Sequence, residues 1–442
     1  MTTTRARRVR RAALSAVSAV SVAAAVLAAS AGGAVASSAS GSTDPIVRID
    51  GGLVRGADAA GVNSFLGLPY AAPPTGNLRW RPPQPAAGWS GVRDATTFGP
   101  SCPQAPSPFA PPGQFSEDCL YLNVYTPAAR SSFGGRPVLV WIHGGGLEQD
   151  GARDYDGTKL AADGVVVVTI NYRLGALGFL AHPALASHGA AGNYGLMDQQ
   201  AALRWVQRNI ARFGGDPGNV TIAGQSAGGL SVLAQMVSPG ARGLFQRAIV
   251  QSGTFALNQR PLAVAEAAGQ TFATAVGCAD QSAACLRSAP VSALVANFGV
   301  EIPGVVDGAV LTQPIGTAVS DASFACPALQ VDRLTAARGV PTYAYQFNDD
   351  LGKSLGQATH GAELPYLFDL PNTPVTLNPG QQALAASMRM DWASFAGTGN
   401  PSSRALPWPS FNGTRVLSLV PLQSQVTTDF AAAHNCSFWG AG

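Results

Sequence analysis

Apolar positions along this chain fall into two kinds of run. Pro137–Ile142 (PVLVWI) and Val165–Ile170 (VVVVTI) are short and unbroken, the pattern of a strand covered on both faces. Between Met197 and Phe213, Ala201, Leu203, Val206 and Ile210 recur at helical spacing instead, and Gly214-Gly215 closes the segment. Beyond it the pattern alternates: a strand over Val220–Ala223, a helix over Ala227–Met236, a strand over Ala248–Gln251 and a later strand over Val340–Phe347. Strands separated by helix-length crossovers predict an α/β fold, a mostly parallel central sheet with helices on both faces. Residues 72–113 and 370–380 are rich in proline and read as surface loops of one domain. No internal repeat at a solenoid or propeller period interrupts this order.

The first residues follow a different rule. Arg5–Arg11 reads RARRVRR, an Ala/Val-rich run extends from about Ala12 to Ala29, and Ala34-Val35-Ala36 follows. A charged segment, an apolar segment and an A-x-A site predict a signal peptide over 1–36, a linker over 37–43 and an α/β domain over 44–442. Ser15, Ser18 and Ser21 interrupt the run, and no later stretch approaches the roughly 20 apolar residues of a spanning helix. The expectation is a secreted protein without stable membrane insertion.

Composition narrows the classes. The chain has 442 residues, 46% of them hydrophobic and 12% charged, which excludes a disordered polyelectrolyte. Its formal charge of +3 includes five arginines of the leader; without residues 1–36, 23 basic residues face 25 acidic ones. No basic stripe is left to suggest a nucleic-acid partner. Six cysteines, an even number, predict disulfides in an oxidising compartment. Many pairings are open, and close spacing favours Cys102 with Cys119 and Cys278 with Cys285, leaving Cys326 with Cys436. No Cys/His spacing suggests a metal site, and no phosphate loop or dinucleotide fingerprint suggests a cofactor. No sequence feature fixes an oligomeric state.

Two segments match G-x-S-x-G, Gly224–Gly228 around Ser226 and Gly352–Gly356 around Ser354. Only Ser226 has a strand before it and a helix after it, as a nucleophile elbow requires, while Ser354 reads as a turn serine. A second glycine run, Gly144-Gly145-Gly146, follows His143 at the end of the PVLVWI strand, where backbone N–H groups approach an oxyanion closely.

From about Asp44 to Trp439 the sequence resembles the type-B carboxylesterases, relatives of cholinesterases with the α/β-hydrolase fold. The markers are Glu117–Asn123 (EDCLYLN), His143–Gly146, Asn171–Leu174 (NYRL), Gly192–Leu196 (GNYGL), Asp198-Gln199, Gly214–Pro217 (GGDP), the elbow, Gln251–Gly253, Asp391-Trp392 and Gly399–Pro401. The resemblance implies oxyanion donors at the N–H groups of Gly145, Gly146 and Ala227, a salt bridge of Glu117 with Arg79, and the same three cysteine pairs. The general base is expected at His360, in a His-Gly-x-Glu segment after the last strand; His143 belongs to the oxyanion strand, His182 and His188 read as structural, and His434 adjoins the C-terminal cysteine. The family's acid follows its seventh strand in a Gly-Thr-Asn-x-Asp-Glu-Gly motif that is absent here. Asp321, five residues after Gly316, takes that place, with Asp307, Asp349 and Asp350 as alternatives. Gln225 stands where the family usually has Glu, and Leu147 where it has an aromatic. The expectation is a serine esterase that acts on small-molecule esters through an acyl-serine, without cofactor. Its rivals are a non-catalytic binding protein on the same scaffold, prompted by the shortened acid segment, and a lipase.

Overall fold

A computed structural model describes residues 44–106, 115–129, 134–186, 191–255, 259–298, 304–312, 314–315, 325–349, 351, 358, 360–402, 407–434 and 436. Among them the central sheet has seven strands: β1 (Ala57–Ala59), β2 (Val62–Pro69), β3 (Tyr121–Pro127), β4 (Arg136–Ile142), β5 (Val166–Ile170), β6 (Gly215–Gln225) and β7 (Arg247–Gln251). Their order across the sheet is β7-β6-β4-β5-β3-β2-β1. β7, β6, β4 and β5 are mutually parallel, whereas β3, β2 and β1 complete the sheet antiparallel.

The unbroken apolar runs are explained by cover on both faces. Val138, Val140 and Ile142 of β4, with Val166, Val168 and Ile170 of β5, belong to one core. Leu139, Trp141 and Val167 point to the other. The first core is closed by α1 (Tyr194–Asn209) and α2 (Ala227–Val237) through Leu203, Val206, Leu230 and Leu233. The second is closed by a long helix, Pro379–Thr398, through Leu384, Met388 and Trp392. With side chains alternating across each strand, both sides must be apolar, so no polar period is visible in the sequence. Gly214, at φ 81°, ends the turn that follows α1, as the Gly pair predicts.

A separate ladder, β8 (Tyr345–Phe347), β9 (Val416–Leu419) and β10 (Gln425–Thr427), has β8 parallel to β9 and β9 antiparallel to β10. The expected strand over Val340–Phe347 is therefore shorter at its start. Pro341 offers no N–H to a ladder, and Val340 is half exposed. Among the described residues no strand joins β7 to β8.

Three disulfides, Cys102–Cys119, Cys278–Cys285 and Cys326–Cys436, form as expected. Arg79 and Glu117 make a two-pronged ion pair at 2.5 and 2.6 Å, and Arg79 also donates to the carbonyls of Arg287 and Ala289. In a more deeply buried pair, Arg173 grips Asp198 of α1 with two bonds of 2.7 Å. No described helix is long and apolar enough to cross a membrane.

Candidate active site

Ser226 stands where β6 turns into α2, with φ 57° and ψ −126°. A non-glycine residue in such a conformation is strained and persists only where its surroundings enforce it. They do so through close approach. A Cβ on Gly228 would lie 2.0 Å from the carbonyl oxygen of Ile142, at the end of β4, and one on Gly224 would lie 2.5 Å from the Gly228 backbone. The turn is pinned when the Ser226 N–H donates to the Gln251 carbonyl of β7 (2.9 Å) and the Leu230 N–H donates to the Ser226 carbonyl (2.9 Å).

The glycine run packs against this elbow. A Cβ on Gly144 would meet the Gln225 carbonyl oxygen at 2.8 Å and Ser226 Cβ at 3.2 Å. Gly145 and Gly146 then take φ values of 80° and 67° in a tight turn, whose Gly145 carbonyl accepts from Glu148 and Gln149, each at 3.0 Å. Ala227 is the first residue of α2, so its N–H has no acceptor within the helix. The run is braced from behind. The buried His143 ring stacks on Tyr172 at 4.4 Å, and the Tyr172 hydroxyl donates to the His143 carbonyl at 2.8 Å. Burial holds the His143 imidazole below its usual range, against opposing effects of Asp150 and the Gly144 carbonyl.

His360 reaches the same place from the far end of the chain. Its Nε2 lies 3.3 Å from the Gln225 amide nitrogen, one residue before Ser226. The ring is partly exposed, and burial of the remainder lowers its pKa. Three residues on, buried Glu363 accepts a 3.3 Å bond from the Gln251 side chain. Burial raises the Glu363 carboxyl above its usual range, although its hydrogen bonds oppose this. Gln251 thus holds both halves of the site, Ser226 through its carbonyl and the His360 segment through its amide.

The other histidines are placed away from this chemistry. His182 caps a short turn and bonds Gln281 at 2.9 Å, and His434 lies 3.0 Å from the Gln346 amide. His188 lies outside the described residues, as do Ser354, Asp321 and Asp350. Two alternative acids are engaged elsewhere. Asp307 accepts the N–H groups of Ala309, Val310 and Leu311 at 2.9–3.1 Å, and Asp349 accepts from the Tyr366 hydroxyl and from Gln381 at 2.8 Å. Asp307 Oδ2 is buried without a hydrogen-bond partner.

Sequence reasoning missed three features. The double role of Gln251 has no signal beyond its place in Gln-Ser-Gly. Glu148, directly after the glycine turn, went unremarked. So did the pair Asp150 and Asp154, four residues apart under the turn. Asp150 accepts from the Tyr155 hydroxyl at 2.6 Å, and a Cβ on Gly145 would lie 3.0 Å from Asp150 Cβ. The Asp154 carboxyl is pushed up to about 8 by burial first and by the adjoining Asp150 second, with Arg153 and an Asn372 hydrogen bond opposing. Among the described residues no group of acids, histidines and cysteines could hold a metal ion.

A serine at a strand–elbow–helix turn beneath a glycine turn, on a sheet of this order, defines an α/β-hydrolase fold. The comparisons agree at each level. The solved structure of a PNB esterase superposes with a TM-score of 0.78 at 29% identity, covering 89% of this chain and 99% of that one. Cocaine esterase from Oryctolagus cuniculus is 35% identical over 84% of this chain and 91% of its own length. Pyrethroid hydrolase Ces2e from Rattus norvegicus is 35% identical over 84% of this chain and 85% of its own. The carboxylesterase family model matches residues 43–316 and 307–439. The chain belongs to the carboxylesterase family and is a carboxylic ester hydrolase.

Proposed function

We propose that Ser226 is the nucleophile of a two-step acyl transfer and His360 its base. The Ser226 hydroxyl oxygen adds to the ester carbonyl carbon while His360 takes its proton, and the developing oxyanion accepts from the N–H groups of Gly145, Gly146 and Ala227. Collapse breaks the bond to the alcohol oxygen, which takes the proton from His360. Water then adds to the acyl carbon by the same route, and the acid leaves with Ser226 restored. Asp321 is the acid that orients His360 in this reading, on its place five residues after Gly316. The observation that carries the proposal is the strained Ser226, with a glycine turn against it and an imidazole beside its preceding residue.

The leader over 1–36 delivers the domain over 44–442 to the outside of the cell in this reading, and three disulfides suit that compartment. Ser226→Ala is the test, with 4-nitrophenyl butyrate as substrate. Turnover is expected to drop by at least about 10⁴-fold; a rate within a few-fold of the parent removes Ser226 from the mechanism.

A further inference from the structure

Next to the oxyanion turn is a cavity of about 390 Å³ whose lining includes Gly146 but neither Ser226 nor His360. Its walls are largely apolar and carry three aromatic rings, Phe179, Phe272 and Phe298; the last two meet edge-on, with centroids 6.0 Å apart. Among the described residues Glu148 is the one carboxylate in the lining. Its backbone is tied to the turn, where its N–H donates to the Gly145 carbonyl.

The Glu148 side chain has no partner to match this environment. Its Oε1 is buried and accepts no hydrogen bond, and burial alone raises the carboxyl, with no nearby cation offsetting it. Arg260 lies on the same wall but makes no ion pair with Glu148. A buried carboxylate oxygen without a donor costs free energy, and an occupant that brings a charged donor recovers it. Aromatic rings in the same lining favour a cation further through their quadrupoles. An alkyl chain would fill the same walls yet leave the carboxylate unsatisfied.

We propose that Glu148 makes this cavity a subsite for a protonated amine, so that the enzyme favours esters bearing an aminoalkyl arm that extends past the oxyanion turn. The proposal rests on the esterase reading of Ser226. It is tested with two isosteric pairs, one with the amine on the acyl side and one with it on the alcohol side. The first is 4-nitrophenyl 6-aminohexanoate against 4-nitrophenyl heptanoate. The second is 6-aminohexyl butyrate against heptyl butyrate. The readout is the ratio of kcat/KM within each pair, which cancels any general loss of activity.

The parent protein should favour the amine in at least one pair by about tenfold. Glu148→Gln should bring that ratio close to one, and Glu148→Asp, which keeps the charge, should retain part of it. Ratios near one in both pairs overturn the proposal, as does a preference that survives Glu148→Gln. Binding provides a readout independent of turnover. Calorimetric titration should show hexylammonium binding more tightly than 1-hexanol to the parent, and to a lesser degree or not at all to Glu148→Gln. Equal binding of the two probes overturns the subsite. Failure of Ser226→Ala to abolish turnover bears on the esterase reading alone.

Discussion

In the proposed mechanism, pH enters the chemistry at His360. A general base must be neutral to take a proton, and burial lowers this imidazole from its ordinary value of 6.5. As pH rises, the neutral form therefore becomes dominant earlier than in a free histidine. The acid limb of kcat/KM for an uncharged ester should have its midpoint below 6.5; a midpoint above that value would contradict the environment described. At this scale the sequence was most legible where geometry permits few residue types. Glycines at 224 and 228 are demanded by backbone approaches of 2.0–2.5 Å, so the elbow motif and its physical cause coincide. The acid was least legible, because any carboxylate at a plausible spacing looks alike in a sequence. Asp349 and Asp307 show contacts to Tyr366, Gln381 and a local turn that no sequence pattern announces. Gln251 was hidden for a related reason, since its two functions come from its carbonyl and from a residue 112 positions away.

Elements were recovered in proportion to their local signal. β4, β5, α1 and α2 match their expected spans closely, because unbroken β-branched runs and helical spacing with a closing glycine are properties of the segment itself. The segment before Tyr345 has apolar character but contains Pro341, and pairing with β9 begins only at Tyr345. The disulfides act between elements, and their effects should differ with the chain they enclose. Cys326–Cys436 spans 110 residues, Cys278–Cys285 only 7. In the chain-entropy view, replacing the first pair by serines should cost about 5 kcal/mol of stability and replacing the second about 2.5 kcal/mol. Urea unfolding of the two double variants checks this order, and a larger loss from the short loop would contradict it.

Across the whole molecule, buried Asp154 beside Asp150 links folding to pH. The Asp154 carboxyl rises to about 8 from an ordinary value of 3.8, so between those values the folded chain binds more protons than the unfolded one. Stability contributed by this group therefore falls as pH rises through that window. Asp154→Asn cannot ionise and should lose the slope: between about pH 5 and about pH 8.5 its urea midpoint should decline less than the parent's. Equal declines would exclude Asp154 as the source. Global topology was readable as a class, α/β with a parallel half, but not as an order. Which strand neighbours which depends on crossovers, and the antiparallel half leaves no separate mark in the apolar pattern.

The sheet's boundary has a consequence for endurance. Ser226 is anchored to a carbonyl on β7, the outermost strand on its side among the described residues and only half-buried for most of its length, whereas β5 is sealed throughout. Competence and cohesion are thus held by different parts of the molecule. With Ser226 as nucleophile, loosening at this margin would silence hydrolysis while the interior stays shut.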